Sequence, residues 1–350
     1  MRVALVGCGN IATAYAKTIS AEPRLTLVGM TDVDTARSQA LADEHGAVAY
    51  PSLDALLADQ SIDTVVNLTA PTAHAVVTGA ALRAGKHVHT EKPVALRYED
   101  AVELAALARS AGVRLSCAPS TLLGEAQQTA WKLVREGTLG AIRAVYAEAN
   151  WGRIESWHPS PESLYASGPL VDVGIYPLTI LTAIFGPVRR AQAYGTMLQP
   201  DRVRKDGHPF RLETPDFYVA ALELDDLVVR LTATFWVRAG KQRGIEFHGE
   251  TSDLYMATWG EFDSRLELSQ DGETYTPVPL LREPYPGIDW SRALVDLADA
   301  IVEGRPHRAS AEHAAHVVEV LNAVDRSSSD GGTVDVVSTF EPPAPLPWAV

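Results

Sequence analysis

Only two cysteines, Cys8 and Cys117, occur in the 350 residues, so a single pair is the most the chain could form and no disulfide framework holds it together. That usage fits a reducing cytoplasm. Positive charge is scarce as well. The 30 Lys and Arg face 44 Asp and Glu, and the net charge of −14 opposes sequence-independent binding to nucleic acid or to anionic lipid. The longest mostly apolar stretch, Leu170 to Phe185, contains Asp172 and Pro177 and falls short of the ~20 residues of a membrane span. The N-terminal run from Met1 to Val6 stops at Gly7, shorter than the ~7–15 residues of a signal-peptide core. These absences lead to the expectation of a cytoplasmic protein without a nucleic-acid or membrane partner. The 46% hydrophobic and 21% charged residues suit a chain with a sizeable core, and its length suits about two domains.

From residue 1 to about 120, short β-branched runs alternate with amphipathic stretches, the pattern of repeated βα units around a parallel sheet. Strands are expected at Val3 to Val6, Leu25 to Met30, Asp63 to Leu68, Lys86 to His89 and Val113 to Cys117. Helices are expected at Ile11 to Ile19, Asp34 to Glu44, Leu53 to Ala58, Ala73 to Ala84 and Tyr98 to Ala111. Beyond residue 120 come a helix at Glu125 to Glu136, a strand at Ala141 to Asn150 and a helix at Asp172 to Phe185. A run of strands then extends to Ser269, in which the turn at Asp225-Asp226 suggests an antiparallel meander. Helices at Trp290 to Glu303 and Ala311 to Ser327 precede a Pro-rich end. The expected division is 1–120 as a doubly wound α/β domain, 121–338 as an α+β domain, and 339–350 as a tail.

Gly7-Cys8-Gly9-Asn10-Ile11-Ala12 fits G-x-G-x-x-G/A. The first glycine permits the tight turn, the second lets backbone approach a pyrophosphate, and Ala12 lets helix and strand pack closely. Asp32 lies 20 residues beyond Ala12 at the end of the second strand. There a carboxylate accepts ribose hydroxyls and repels a 2′-phosphate, which favours NAD over NADP; Arg37 is the residue that could reverse this. A helix cap is the plainer role for Asp32 and a solvated helix face the plainer setting for Arg37. Further candidate cofactor contacts are Asn10, Ile11, Thr69, Pro71, His74 and Glu91. Cys8 reads as a space-filling residue rather than a redox centre, and His87 and His89 lack a third ligand at zinc-like spacing.

Glu91-Lys92-Pro93 ends a strand at the carboxyl edge of the sheet, where ligands of such folds bind. Pro93 biases Lys92 toward extended backbone and permits a cis bond. The lysine suits proton transfer or hydrogen bonding to a substrate hydroxyl, with an ion pair to Glu91 as the alternative. Asp172 and Tyr176 are one helical turn apart, and Pro177 puts both near a helix start. Either they face a substrate or they are a helix-entry Asp and a core Tyr. The connection Trp151 to Pro159 is rich in aromatics, and its Trp157 and His158 could line a sugar pocket or cover the core.

Together the glycine motif, Asp32, Glu91-Lys92-Pro93 and Asp172-x-Gly174-x-Tyr176 resemble the glucose-fructose oxidoreductase, inositol dehydrogenase and MocA-like family. The resemblance implies an N-terminal Rossmann domain and a C-terminal α+β domain with a large, mainly antiparallel open sheet that often mediates dimers or tetramers. It also implies NAD(P)-dependent oxidation or reduction of sugars, inositols or related polyols, with Lys92 as the catalytic lysine and Asp172 as a substrate-binding aspartate. Tyr176 stands where most of the family carries histidine. Two other activities known among proteins of this fold stay open at this point: hydrolysis of glycosides by transient oxidation with tightly held NAD, and redox-silent sensing.

Overall fold

The computed structural model describes residues 1–350. Strands β1 (Arg2–Val6), β2 (Thr26–Thr31), β3 (Val48–Ala49), β4 (Thr64–Asn67), β5 (His87–Thr90) and β6 (Leu115–Cys117) form a sheet in the order β3-β2-β1-β4-β5-β6. Every pair in it is parallel. Helices α1 (Asn10–Ala21), α2 (Thr35–His45), α3 (Leu53–Ala58), α4 (His74–Arg83) and α5 (Tyr98–Ser110) connect the strands. Alternate residues of β1 feed two different cores, as the period-2 geometry of a strand requires. Ala4 and Val6 pack with Val65, Val88, Leu82 and Leu104, whereas Val3 and Leu5 pack with Val66, Ala12, Tyr15 and Ile19. The sheet is therefore doubly wound, and its order reverses between β1 and β4, where such folds bind ligands.

The rest of the chain carries α6 (Glu125–Arg135), β7 (Ile142–Asn150), α7 (Glu162–Pro169), α8 (Ile175–Phe185), β8 (Arg190–Thr196), β9 (Asp201–Val203) and β10 (Pro209–Arg211). There follow β11 (Phe217–Glu223), β12 (Val228–Thr234), β13 (Gly244–Gly249), β14 (Asp253–Met256), β15 (Leu266–Ser269), β16 (Thr276–Val278), α9 (Arg292–Glu303), α10 (Ala311–Asp330) and β17 (Val334–Asp335). Nine strands form one sheet in the order β16-β15-β14-β13-β7-β12-β11-β8-β17, and β9 and β10 pair by themselves. The fold is α/β with a second, large and mainly antiparallel sheet.

The Asp225-Asp226 turn does join an antiparallel hairpin, with Leu224 N–H donating to Leu227 O at 3.0 Å. The expected simple meander is corrected on its other side. There β7 inserts between β12 and β13 and runs parallel to β12. A nine-residue strand with Val145, Ala147 and Ala149 fully buried belongs at the centre of a sheet, and short-range turn signals are blind to such a long-range insertion.

Two compact units emerge from the contacts. One is Met1–Ser120 with Asp289–Val318, and the other is Thr121–Ile288 with Glu319–Val350. Segment 289–318, which chain order alone puts in the second domain, packs in the first unit. Leu294, Val295 and Ala298 complete the core around Val3 and Leu5, and Ala311, Ala315 and Val318 complete the one around Val65 and Val88. Their apolar helical spacing promised a buried face but did not say against which domain. In the second unit the Pro-rich end is held by polar contacts: Leu346 N–H donates to Gln128 Oε1 at 2.8 Å, and Arg282 stacks 4.1 Å from the Trp348 ring centre.

Candidate active site

At the carboxyl end of β1, Gly7 has φ +94°, and a Cβ there would lie 2.7 Å from Leu68 O, so glycine is required twice over. Gly9 differs. A Cβ on it would meet nothing within 4 Å, which leaves open space beside the first turn of α1. Gly9 is the N-cap residue of that helix and no side chain caps it, so N–H groups of the turn containing Asn10 and Ile11 lack a side-chain acceptor. Open space with unsatisfied donors at a helix N-terminus is the cradle a pyrophosphate needs.

Asp32 is half-buried and tied to this loop: its Oδ2 accepts from Cys8 N–H at 2.6 Å and its Oδ1 from Asp34 N–H at 2.8 Å. The cap of α2 is Asp34, whose side chain accepts from Ala36 and Arg37 N–H, so Asp32 is not used as the cap. Arg37 is exposed, with its guanidinium 3.6 Å from Asp34. Burial and the charge of Asp32 push the Cys8 thiol up to about 12, which keeps it protonated at neutral pH and suits a packing role.

His74 is 1% exposed and links two loops at the same sheet edge. Its Nδ1 lies 2.7 Å from Pro93 O and its Nε2 2.9 Å from Thr69 O. Thr69 in turn donates its hydroxyl to Asn67 Oδ1 at 2.7 Å, and Pro71 opens a single 3₁₀ turn that leads into α4. His74 thus braces the backbone beside Lys92. Glu91 is buried and accepts from Lys92 N–H at 3.0 Å, Lys92 is half-buried, and the Lys92–Pro93 bond is cis. His87 accepts from Arg114 N–H at 3.0 Å. His89 hydrogen bonds Tyr15 and Ser116.

In the second unit the expected helix at Asp172 to Phe185 is corrected at its start. Leu170–Gly174 is one wide π turn, and α8 proper begins at Ile175. Pro177 supplies the reason: its ring would clash with a carbonyl one normal turn back, and a widened turn relieves that clash. Asp172 therefore lies in the wide turn and Tyr176 at the second position of α8, both half-buried. A Cβ on Gly174 would sit 3.2 Å from Ala233 Cβ, so the missing side chain lets the turn lie close on β12.

The Tyr176 ring packs against Trp259 with centroids 4.9 Å apart, and Trp259 packs against Trp151 at 6.4 Å. Trp259 Nε1 donates to Glu148 O at 3.2 Å, which fixes the indole at the end of β7. Trp259 was not legible as a site residue, because its only sequence signal is a lone tryptophan between two strands. Trp157 and His158 contact each other edge to face at 5.4 Å, and His158 Nδ1 accepts from Ser160 N–H at 3.0 Å. Their connection is anchored from below by buried Arg202, which pairs with Glu155 at 3.0 Å and with Asp216, and stacks 4.7 Å from the Trp236 ring centre. Tyr165 donates to Glu155 Oε2 at 2.5 Å, and burial together with that carboxylate raises its phenol.

A doubly wound sheet with a glycine loop, an acidic residue after β2 and a lysine after β5 defines a dinucleotide-dependent oxidoreductase. Residues 1–118 match the oxidoreductase family with an NAD-binding Rossmann fold, and residues 127–255 match the GFO/IDH/MocA C-terminal domain. The chain belongs to the GFO/IDH/MocA family of NAD(P)-dependent oxidoreductases. It is similar to dTDP-3,4-didehydro-2,6-dideoxy-alpha-D-glucose 3-reductase of Streptomyces antibioticus, 29% identical over 342 residues covering 93% of this chain and 97% of the relative. It is also similar to D-xylose dehydrogenase of Paenarthrobacter nicotinovorans, 24% identical over 344 residues covering 89% and 86% of the two chains. Among solved structures, levoglucosan dehydrogenase in complex with NADH and L-sorbose shares the fold with a TM-score of 0.84 and 18% identity over 97% of this chain and 99% of that one.

Proposed function

We propose that this protein oxidises or reduces a carbinol carbon of a sugar, inositol or related polyol, with NAD as the preferred cofactor. The observation that carries the reading is the pair Gly9 and Asp32: open space at an uncapped helix end, beside a carboxylate held by the same loop. The sugar class is supported by the names of the relatives, a deoxyhexose reductase and a xylose dehydrogenase. NAD, when bound at this loop, would supply the hydride acceptor or donor. Gly7, Gly9, Asn10, Ile11 and Asp32 hold the dinucleotide, with Thr69, Pro71, His74 and Glu91 shaping the edge beside it. Lys92 binds the reacting hydroxyl and handles its proton, Asp172 orients the sugar, Tyr176 exchanges a proton with it, and Trp157 and His158 contribute to the pocket. The test is a panel of monosaccharides, glycosides and inositols with each cofactor, read as NADH or NADPH formed. Glycoside cleavage without net NADH on turnover would replace this reading with transient oxidation.

Cofactor choice follows from Asp32, whose charge opposes a 2′-phosphate. Asp32→Ser is expected to cut the ratio of kcat/KM for NAD over NADP by about tenfold, the scale of one charge-assisted hydrogen bond. A wild-type enzyme faster and tighter with NADP would transfer the deciding role to Arg37.

We further assign residues 1–120, with segment 289–318 packed into the same unit, to cofactor binding, and the rest of 121–338, which carries the large sheet, to substrate binding and oligomer formation, in a cytoplasmic homodimer or homotetramer. Support comes from the two faces of the large sheet. Val229, Leu231, Ala233 and Phe235 are buried within the protomer, while register aligns half-exposed Tyr146, Arg230 and Glu246 with exposed Ala221 and Gln192 on the other face. Tyr194 on that face is 65% exposed. Light scattering should give a dimer or tetramer mass, and a strict monomer at high concentration removes the assignment.

A further inference from the structure

A buried file of polar side chains runs beneath the strand end that carries Lys92. Ser116 and His89 have no exposed surface, Tyr15 is 1% exposed and Glu91 8%. Ser116 Oγ lies 3.0 Å from His89 Nδ1, and His89 Nε2 lies 3.2 Å from Tyr15 Oη. Tyr15 donates its hydroxyl to Glu91 Oε1 at 2.8 Å, and Glu91 Oε2 accepts from Lys92 N–H at 3.0 Å. The file joins α1, β5 and β6, and its far end sits where β6 bridges Ser310.

Counting protons fixes the direction of these bonds. Tyr15 has one hydroxyl proton and gives it to Glu91, so His89 Nε2 must be the donor toward Tyr15 Oη. With its single proton on Nε2, His89 then uses Nδ1 to accept from the Ser116 hydroxyl. Burial, aided by the charge of His307, pushes His89 down to about 3, so the ring carries only the one proton this count allows. Every donor from Ser116 onward points the same way, and the series ends on a carboxylate, an arrangement in which each bond polarises the next.

We propose that Tyr15 and His89 are positioning residues for the redox reaction: with Ser116 they form a one-way hydrogen-bond relay that fixes the Glu91 carboxylate and, through it, the backbone from which the Lys92 side chain departs. Apolar side chains would fill this core more cheaply than four polar ones. What the polar set adds is a defined orientation at its end, the Glu91 carboxylate, which in turn accepts from the backbone N–H of Lys92. A reacting group displaced by ~1 Å loses about a hundredfold in rate, so fixing the root of a long lysine has a kinetic consequence.

The relay makes a spectroscopic prediction separable from activity. Long-range ¹⁵N–¹H correlation, with His89 assigned through His89→Gln, should find Nε2 protonated and Nδ1 bare between about pH 6 and 8. Tyr15→Phe keeps the ring that packs 5.4 Å from Trp290 and removes only the hydroxyl. That variant should lose about tenfold in kcat with KM for NAD within about twofold, since orientation at the reacting group changes and the dinucleotide cradle does not. A proton on Nδ1 of His89 overturns the relay, as does a folded Tyr15→Phe enzyme with wild-type kcat. If Tyr15→Phe fails to fold, the tautomer in the unaltered protein decides alone. The inference rests on the role proposed for Lys92, and the two fail separately. A Lys92→Ala enzyme that keeps turnover removes that role whatever the tautomer, whereas an inactive Lys92→Ala beside a fully active Tyr15→Phe removes only the relay.

Discussion

Replacing Lys92 by alanine is expected to lower turnover of the sugar by ~10²–10⁴, the range for loss of an acid-base group, while NAD affinity stays close to that of the unaltered enzyme. Lys92 lies two residues beyond the end of β5, at the carboxyl edge of the sheet, and its backbone is braced by Glu91 through its own N–H and by His74 through Pro93 O. The groups that would hold the dinucleotide phosphates lie elsewhere, at the uncapped start of α1. Removing the ammonium therefore leaves the cradle intact and takes away only the group assigned to the reacting hydroxyl. Lys92→Arg separates two roles of the ammonium, because a guanidinium keeps the charge but does not give up a proton at accessible pH. An arginine variant as inactive as alanine points to proton transfer, and one that recovers most of the loss points to charge alone. NAD affinity from ligand titration and turnover from NADH formation are the two readouts. Near-normal turnover in Lys92→Ala would reduce the lysine to a partner of the local polar network.

The second large effect is expected at Tyr176. Tyr176→Phe keeps the ring that packs against Trp259 at 4.9 Å and deletes only the hydroxyl, so turnover should fall by ~10²–10⁴ with NAD binding unchanged. An ordinary phenol titrates near ~10, so at neutral pH it is a ready donor to a carbonyl being reduced and needs a cationic neighbour to serve as an acceptor. Tyr176→His should restore part of the loss, because an imidazole can carry the same proton from a similar place. Two proposed proton carriers acting on one hydroxyl give a pH profile that does not by itself assign the proton to either, so the substitutions must. Full turnover in Tyr176→Phe across the pH range would make the tyrosine a pocket wall and leave the proton to Lys92.

The first half of the chain was the more legible because its signals are local. A strand, a glycine turn and a helix follow one another within about twenty residues, and α3 falls at Leu53–Ala58 as expected. Strand β3 was missed because two residues hold no periodicity, and the short β9, β10, β16 and β17 escaped for the same reason. Spacing singles out Asp172 and Tyr176 as candidates, yet it gives no sign of the wide turn between Leu170 and Gly174, since a π turn differs from an α turn only in hydrogen-bond register.

By itself the sequence determined the dinucleotide cradle, the two-domain α/β character and the family, because these depend on residues close together in the chain whose backbone needs are specific, as Gly7 with its φ of +94° demonstrates. Tertiary structure alone decided which strand takes the centre of the large sheet, that residues 289–318 complete the first unit, and which side chains surround the candidate groups. Tyr15, His89 and Ser116 are 101 residues apart from first to last, and Trp259 lies 83 residues beyond Tyr176. Nothing in local periodicity connects such residues; packing and hydrogen-bond satisfaction in a folded core bring them together, and those are properties of the whole chain.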